Sequence, residues 1–201
     1  MGSPLKIIVA GQRSFAVAVL ERVISDGHEV AAVWTNEGDP LEIAAHAEDL
    51  PALIEPRAAD VGDLDADLVV CAHLHAYLPS WFRELTRLGA IGYHPSLLPR
   101  HRGKDAIRWT IAMRDPIAGG SIYWMDDGYD TGPIARQDWC HVRQDDDASS
   151  LWRRELFPMG VRLLREELSA IHRGWDTKTP QDETVATYEP PWQDQPEVAD
   201  G

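Results

Sequence analysis

Two loops in this chain carry the residues that can do chemistry. The first reads Tyr93-His94-Pro95-Ser96-Leu97-Leu98-Pro99-Arg100-His101-Arg102-Gly103. Its leading histidine ends a β-like run, and two prolines and a glycine make the loop beyond it rigid. The second reads Asp126-Asp127-Gly128-Tyr129-Asp130-Thr131-Gly132 and holds three carboxylates. An imidazole titrates near neutrality. One histidine with one buried carboxylate is therefore the smallest set for general acid–base work. Open α/β sheets place such groups just beyond the carboxyl ends of their strands, which is where the first loop falls.

The elements that must hold these loops are set by apolar periodicity. Strands are expected over Leu5–Ala10, Glu29–Trp34, Asp67–Ala72, Ala90–His94, Ser121–Met125 and Ile134–Val142. Helices are expected over Ser14–Ser25, Leu41–Asp49, Ser80–Leu88 with Ser80 as N-cap, Lys104–Met113, and one long amphipathic stretch, Ala148–Arg173. Asp145, Asp146 and Asp147 precede that last helix, where acids suit the positive end of its dipole. Strands alternating with helices predict an α/β fold, a mostly parallel central sheet with helices on both faces. The expected division is a catalytic domain over 1–173 and an extended acidic tail over 174–201, which Tyr188 and Trp192 can pin to the body. No Gly-x-Gly-x-x-Gly comes after the first strand; the residues there are Gly11-Gln12-Arg13, which disfavours a dinucleotide site.

Composition narrows the class. The chain has 201 residues and a formal charge of −14. That acidity disfavours binding to a phosphate backbone, so no nucleic-acid partner is expected. A local basic patch, Arg100, Arg102, Lys104 and Arg108, is either a solvated helix start or an anchor for a small anion, with Arg100 and Arg102 as the contacts. No apolar run of about 18 residues suggests a membrane span. The chain runs almost at once into its first strand, which leaves no room for a signal peptide. The two cysteines, Cys71 and Cys140, fall in separate predicted strands, so a disulfide is not expected and a cytoplasmic location is. His73 and His75 alternate as on a strand but lack a ligand set at metal spacing. They are read as lining the site's entrance, with no metal. Ser96 has no nucleophile elbow around it and reads as a loop tie. Asp126 and Asp127 read as turn formers, and Gly128 and Gly132 as suppliers of unusual backbone angles.

His94-Pro-Ser-Leu-Leu-Pro-x-x-Arg-Gly103 together with Asp126-x-Gly-x-Asp-Thr-Gly132 resembles the formyltetrahydrofolate-dependent formyltransferase family. Within it the likeness is greatest to the amino-terminal hydrolase domain of 10-formyltetrahydrofolate dehydrogenases, through Arg100-His101-Arg102, Gly11-Gln12 and Leu156-Phe157-Pro158. The likeness covers roughly residues 5 to 173. It implies a Rossmann-like catalytic domain with 10-formyltetrahydrofolate as formyl donor and small molecules as partners. It implies His94 and Asp130 as the catalytic residues, and a folate pocket at Ala76, Tyr77, Leu78, Trp124, Asp126, Asp127 and Gly128. One position departs: most of the family has Asn two residues before the histidine, and here it is Gly92. Residues i and i+2 of a strand share a face, so that amide would stand beside the histidine and bond a developing oxyanion. Losing such a donor costs about 3 kcal/mol of transition-state stabilisation. The resemblance leaves the acceptor open between water, an amine and a thiol. It also leaves as rivals a weakly active folate-binding protein and a tRNA-formylating enzyme.

Overall fold

Alternation inside single strands decides the architecture. In β1 (Lys6–Gly11), Ile7 and Val9 enter one apolar cluster while Ile8 and Ala10 enter another. In β4 (Leu68–Ala72), Leu68, Val70 and Ala72 join the first cluster, and Val69 and Cys71 the second. Strands buried on both faces belong in the middle of a sheet with cover on each side. The remaining strands are β2 (Glu29–Thr35), β3 (Ala52–Ile54), β5 (Ala90–His94), β6 (Ile117–Trp124) and β7 (Ile134–His141). The computed structural model, which describes residues 3–57, 61 and 64–192, joins them in the order β3-β2-β1-β4-β5-β6-β7. The first five pair in parallel, and β6 and β7 add antiparallel. This is the mostly parallel, Rossmann-like sheet that the sequence predicts.

The first cluster lies under α1 (Arg13–Ser25), α2 (Pro40–Ala47) and α6 (Phe157–His172), through Phe15, Val19 and Leu20, Leu41 and Ala45, and Leu163, Leu164 and Leu168. The second lies under α3 (Ser80–Glu84), with Phe82 fully buried against Trp34. α4 (Ala106–Ala112) completes the set before the carboxy-terminal helices.

Several expectations need correction. β3 escapes the periodicity because three residues are too few to show one. β6 starts at Ile117, four residues before the expected Ser121; Ala118-Gly119-Gly120 lacks strand-forming side chains, so the pattern does not show this part of the strand. The glycine at 120 is required by packing: a Cβ there would stand 2.5 Å from the Tyr93 ring. α3 ends at Glu84, short of Leu88, and its N-cap is Pro79, so Ser80 is the first helical residue and caps nothing. The long terminal helix is three pieces: α5 (Ala148–Leu151), a π turn (Trp152–Leu156) and α6. Pro158 has no N–H to donate, which loosens the ladder there. Nearby, the Leu156 carbonyl accepts from the Tyr93 hydroxyl at 2.8 Å, which ties the π turn to β5.

After α6 the chain returns past the start of β7 to the loop beyond β5. Thr179 pairs with Ile134, Tyr188 bridges to Arg102, and the Trp192 ring meets Trp109 edge-on at 5.2 Å. Tyr188 and Trp192 thus do pin this segment. Residues 193–201, the rest of the expected tail, lie outside the described residues.

Candidate active site

β5 delivers His94 to the carboxyl edge of the sheet and then stops, because Pro95 cannot donate to the ladder. His94 is 7 % exposed. Its Nε2 lies 2.7 Å from the His101 carbonyl oxygen. A carbonyl only accepts, so Nε2 carries the proton and Nδ1 is the nitrogen free to gain or lose one. Nδ1 stands 3.5 Å from Asp130 Oδ2, within ion-pairing reach and beyond a good hydrogen bond.

Asp130 has its carboxylate held from two sides. Its Oδ2 accepts from the Gly103 amide at 2.7 Å and its Oδ1 from the Tyr123 hydroxyl at 2.6 Å. Its backbone is left-handed, with φ of 56°, a conformation that a non-glycine residue keeps only when its surroundings insist. Burial first, and then the Asp130 charge, push the Tyr123 phenol well above its ordinary range. Tyr123 therefore remains a donor, and Asp130 remains an acceptor with its second oxygen turned to His94. The two loops singled out in the sequence meet in this pair.

The segment 76–78 and the acidic loop also come together. The Tyr77 hydroxyl donates to the Asp127 carbonyl at 3.3 Å, and Arg83 reaches both the Leu78 carbonyl, at 2.8 Å, and the Asp127 carboxylate. Tyr77 and Tyr129 expose their rings, with centroids 6.1 Å apart. Asp126 behaves as a turn former: its Oδ1 accepts from the Gly128 amide at 3.0 Å and the Thr131 hydroxyl at 2.7 Å. Neither Gly128 nor Gly132 has a left-handed backbone, contrary to expectation; at Gly128 a Cβ would fall 2.0 Å from Thr131 Oγ1, so the Thr131 side chain would have to move. Leu78 and Trp124 turn their side chains into the core, and the Trp124 indole N–H donates to the Thr177 carbonyl at 2.8 Å. At these two positions only backbone can face a ligand. Ala76 sits exposed beside Tyr77.

The basic patch is not arranged as expected. Arg100 grips Asp115 with two 2.8 Å hydrogen bonds. Arg102 is fully buried and spends all five donors on Gln181, Glu183 and Tyr188, at 2.6 to 3.0 Å. Both guanidiniums thus have internal partners 15 to 86 residues away, which a local reading of charge does not see. Ser96 is the loop tie that its surroundings suggested, donating to the Arg100 carbonyl at 2.6 Å.

His73 and His75 stack edge-on at 4.6 Å, near Trp152. Burial, then the charges of His75 and Arg13, lower His73 to about 4, so it is neutral at physiological pH. Among the described residues no cluster of three or more His, Cys, Asp or Glu is placed to hold a metal, and no helix is long and apolar enough to cross a membrane. Cys71 and Cys140 are free thiols, and burial pushes them up to about 12 and about 11. At Gly92 an added Cβ would meet Tyr123 Cε1 at 3.3 Å and Met125 Sδ at 3.4 Å. The place of a second polar group beside His94 is therefore walled by a ring edge and a thioether.

Sequence reasoning missed the contribution of the segment after α6. Gln181 Nε2 donates to the Asp130 and Gly132 carbonyls at 2.8 and 2.7 Å. The signal for it was Tyr188 and Trp192, two large rings in a region that otherwise looks like a solvated tail.

Comparison with known proteins places this geometry in context. The family model described as formyl transferase matches residues 5–164. The mitochondrial 10-formyltetrahydrofolate dehydrogenase of Mus musculus is 38% identical over 201 residues, 92% of this chain and 22% of that protein. The chain thus spans about a fifth of the length of that relative. Among solved structures, glycinamide ribonucleotide transformylase 1 from Symbiobacterium toebii superposes with a TM-score of 0.78 at 22% identity, covering 90% of this chain and 95% of that one. An N-formyltransferase from Helicobacter canadensis, in complex with folinic acid and dTDP-3-aminofucose, gives 0.78 at 18% identity, covering 92% and 70%.

Proposed function

The chain belongs to the formyl transferase family, and from that premise we propose that it moves a formyl group from 10-formyltetrahydrofolate to water or to a small amine or thiol. The observation that carries the reading is the His94–Asp130 pair, 3.5 Å apart at the carboxyl end of β5. The exposed faces of Tyr77 and Tyr129 beside that pair suit the flat ring of a folate. Bound there, 10-formyltetrahydrofolate supplies an activated carbonyl carbon and a nitrogen leaving group.

His94 acts at Nδ1, taking the proton of the attacking water, amine or thiol and returning it toward the departing nitrogen. Asp130 faces the imidazolium so formed and offsets its charge. Tyr123 and the Gly103 amide keep the carboxylate aimed while that charge appears and disappears. The carbonyl of His101 fixes the ring plane and the tautomer. Gly92 offers no second donor on the histidine's strand face. The oxyanion that forms with any of these acceptors, water included, lacks that support.

The test is to incubate the protein with 10-formyltetrahydrofolate and monitor tetrahydrofolate release, with and without candidate amines and thiols. Release in buffer alone marks a hydrolase, and acceptor-dependent release a transferase. Folate binding without release would replace this reading with that of a catalytically weak folate binder. No folate binding by the folded protein would end it.

A further inference from the structure

The segment from Thr177 to Trp192 does more than cover the sheet edge. Thr187 accepts the Arg102 amide at its carbonyl, at 3.0 Å, and the His101 amide at its hydroxyl, at 2.8 Å, and its own amide donates to the Pro99 carbonyl at 3.1 Å. This side of the segment therefore holds the loop whose His101 carbonyl and Gly103 amide fix His94 and Asp130. The other side holds the turn that carries Asp130, through Gln181.

Gln181 joins the two. Its Nε2 donates to the Asp130 and Gly132 carbonyls, and its Oε1 accepts from Arg102 Nε and Nη2 at 3.0 and 2.8 Å. The amide's orientation is fixed by its partners, because carbonyls only accept and a guanidinium only donates. Arg102 lies between the two loop residues that touch the pair, and the Asp130 carbonyl belongs to the pair itself. One side chain thus spans the loop behind His94 and the left-handed backbone of Asp130.

We propose that Gln181 is a positioning residue, which sets the separation of His94 and Asp130 by tying the Asp130 turn to Arg102. The kinetic consequence rests on the function proposed above; the structural one does not. Gln181 touches neither member's reacting atoms, so it acts on the turnover step and leaves folate affinity alone.

Gln181→Glu keeps the shape and the acceptor toward Arg102, but sets an oxygen against two carbonyls. Gln181→Met removes all four hydrogen bonds and serves if the first variant fails to fold. Val185→Ala, at an exposed position of the same segment, is the control. In the full chain, kcat falls between about tenfold and about a hundredfold in the Gln181 variants, as misplacement of a catalytic group does. KM for 10-formyltetrahydrofolate stays within about twofold, as loss of an interaction specific to the transition state requires. In parallel, imidazole ¹⁵N correlation spectra show the His94 ring nitrogens displaced in the Gln181 variants and unmoved in Val185→Ala. The proposal is overturned by an unchanged kcat in folded variants. A rise in KM that matches the loss of kcat, or a His94 spectrum identical to wild type, also overturns it. If the wild-type protein releases no formate and formylates nothing, the functional reading falls and the ring spectra alone decide the positioning role.

Discussion

His94 Nε2 points at the carbonyl oxygen of His101, 2.7 Å away, and so gives its proton to the backbone of its own loop. The ring cannot turn without losing that bond. Its other nitrogen is thereby held toward Asp130. Proton exchange is confined to Nδ1, and the carboxylate is a partner of the same atom.

A pair built this way works as a unit. His94→Ala and Asp130→Ala are each expected to lower kcat between about 10²- and 10⁴-fold, the range of a positioned acid–base group. The double variant should be little worse than the weaker single one. Steady-state kinetics of tetrahydrofolate release on the three variants is the check. Losses that multiply would show two independent residues.

How much of this was legible in the sequence depends on the reach of each interaction. β5 was readable to the residue because Ala90-Ile91-Gly92-Tyr93-His94 is apolar and lies between Gly89 and Pro95, both local punctuators. The meeting of the two loops came from their motifs taken together, not from spacing. Arg100 and Arg102 look in the sequence like a solvated helix start or an anion anchor, because their basic neighbours are adjacent. Their acidic partners, Asp115 and Glu183, are not adjacent. Gln181 was invisible for the same reason: its worth lies in two carbonyls about 50 residues away. Single-sequence pattern sees period and punctuation, and long-range polar pairing has neither.

The engagement of those arginines bears on partners. With a net charge of −14, Arg100 committed to Asp115 and Arg102 buried, few cations remain at this edge to neutralise phosphates. Transfer RNA is expected not to bind at physiological salt. Fluorescence anisotropy with labelled tRNA measures it directly. Micromolar binding would return the tRNA-formylating reading to the front.

Glu183 gives the returning segment a pH dependence with a definite sign. Its hydrogen bond from Arg102 holds the carboxyl below the usual glutamate value. A carboxyl lowered on folding contributes above its unfolded pKa of about 4.3, and that contribution disappears as pH falls through the lower folded value. Glu183→Gln should therefore melt below wild type at pH 7, and the gap should close as the pH is brought below about 4. The side chain is 67% exposed, so added salt should also narrow the gap at neutral pH. A difference that persists unchanged into acid would show that charge is not what Arg102 uses.

Gly92 is where the site can be rebuilt. On β5 it stands two residues before His94 on the same face, and it pairs across to Tyr123, the residue that holds Asp130. An asparagine there would place an amide beside the histidine, in reach of a developing oxyanion. Its Cβ would crowd the Tyr123 ring edge at 3.3 Å and the Met125 sulfur at 3.4 Å. Overpacking of this kind costs about 1–3 kcal/mol. Gly92→Asn alone should lose stability, and pressure on Tyr123 should cancel part of the kinetic gain. Met125→Ala opens space on the thioether side. Gly92→Asn with Met125→Ala should therefore recover stability relative to Gly92→Asn and raise amine formylation relative to hydrolysis. The measurement is the ratio of formylated amine to formate formed from 10-formyltetrahydrofolate, alongside melting temperatures. A folded double variant whose ratio equals wild type would show that the missing amide is not what governs the acceptor.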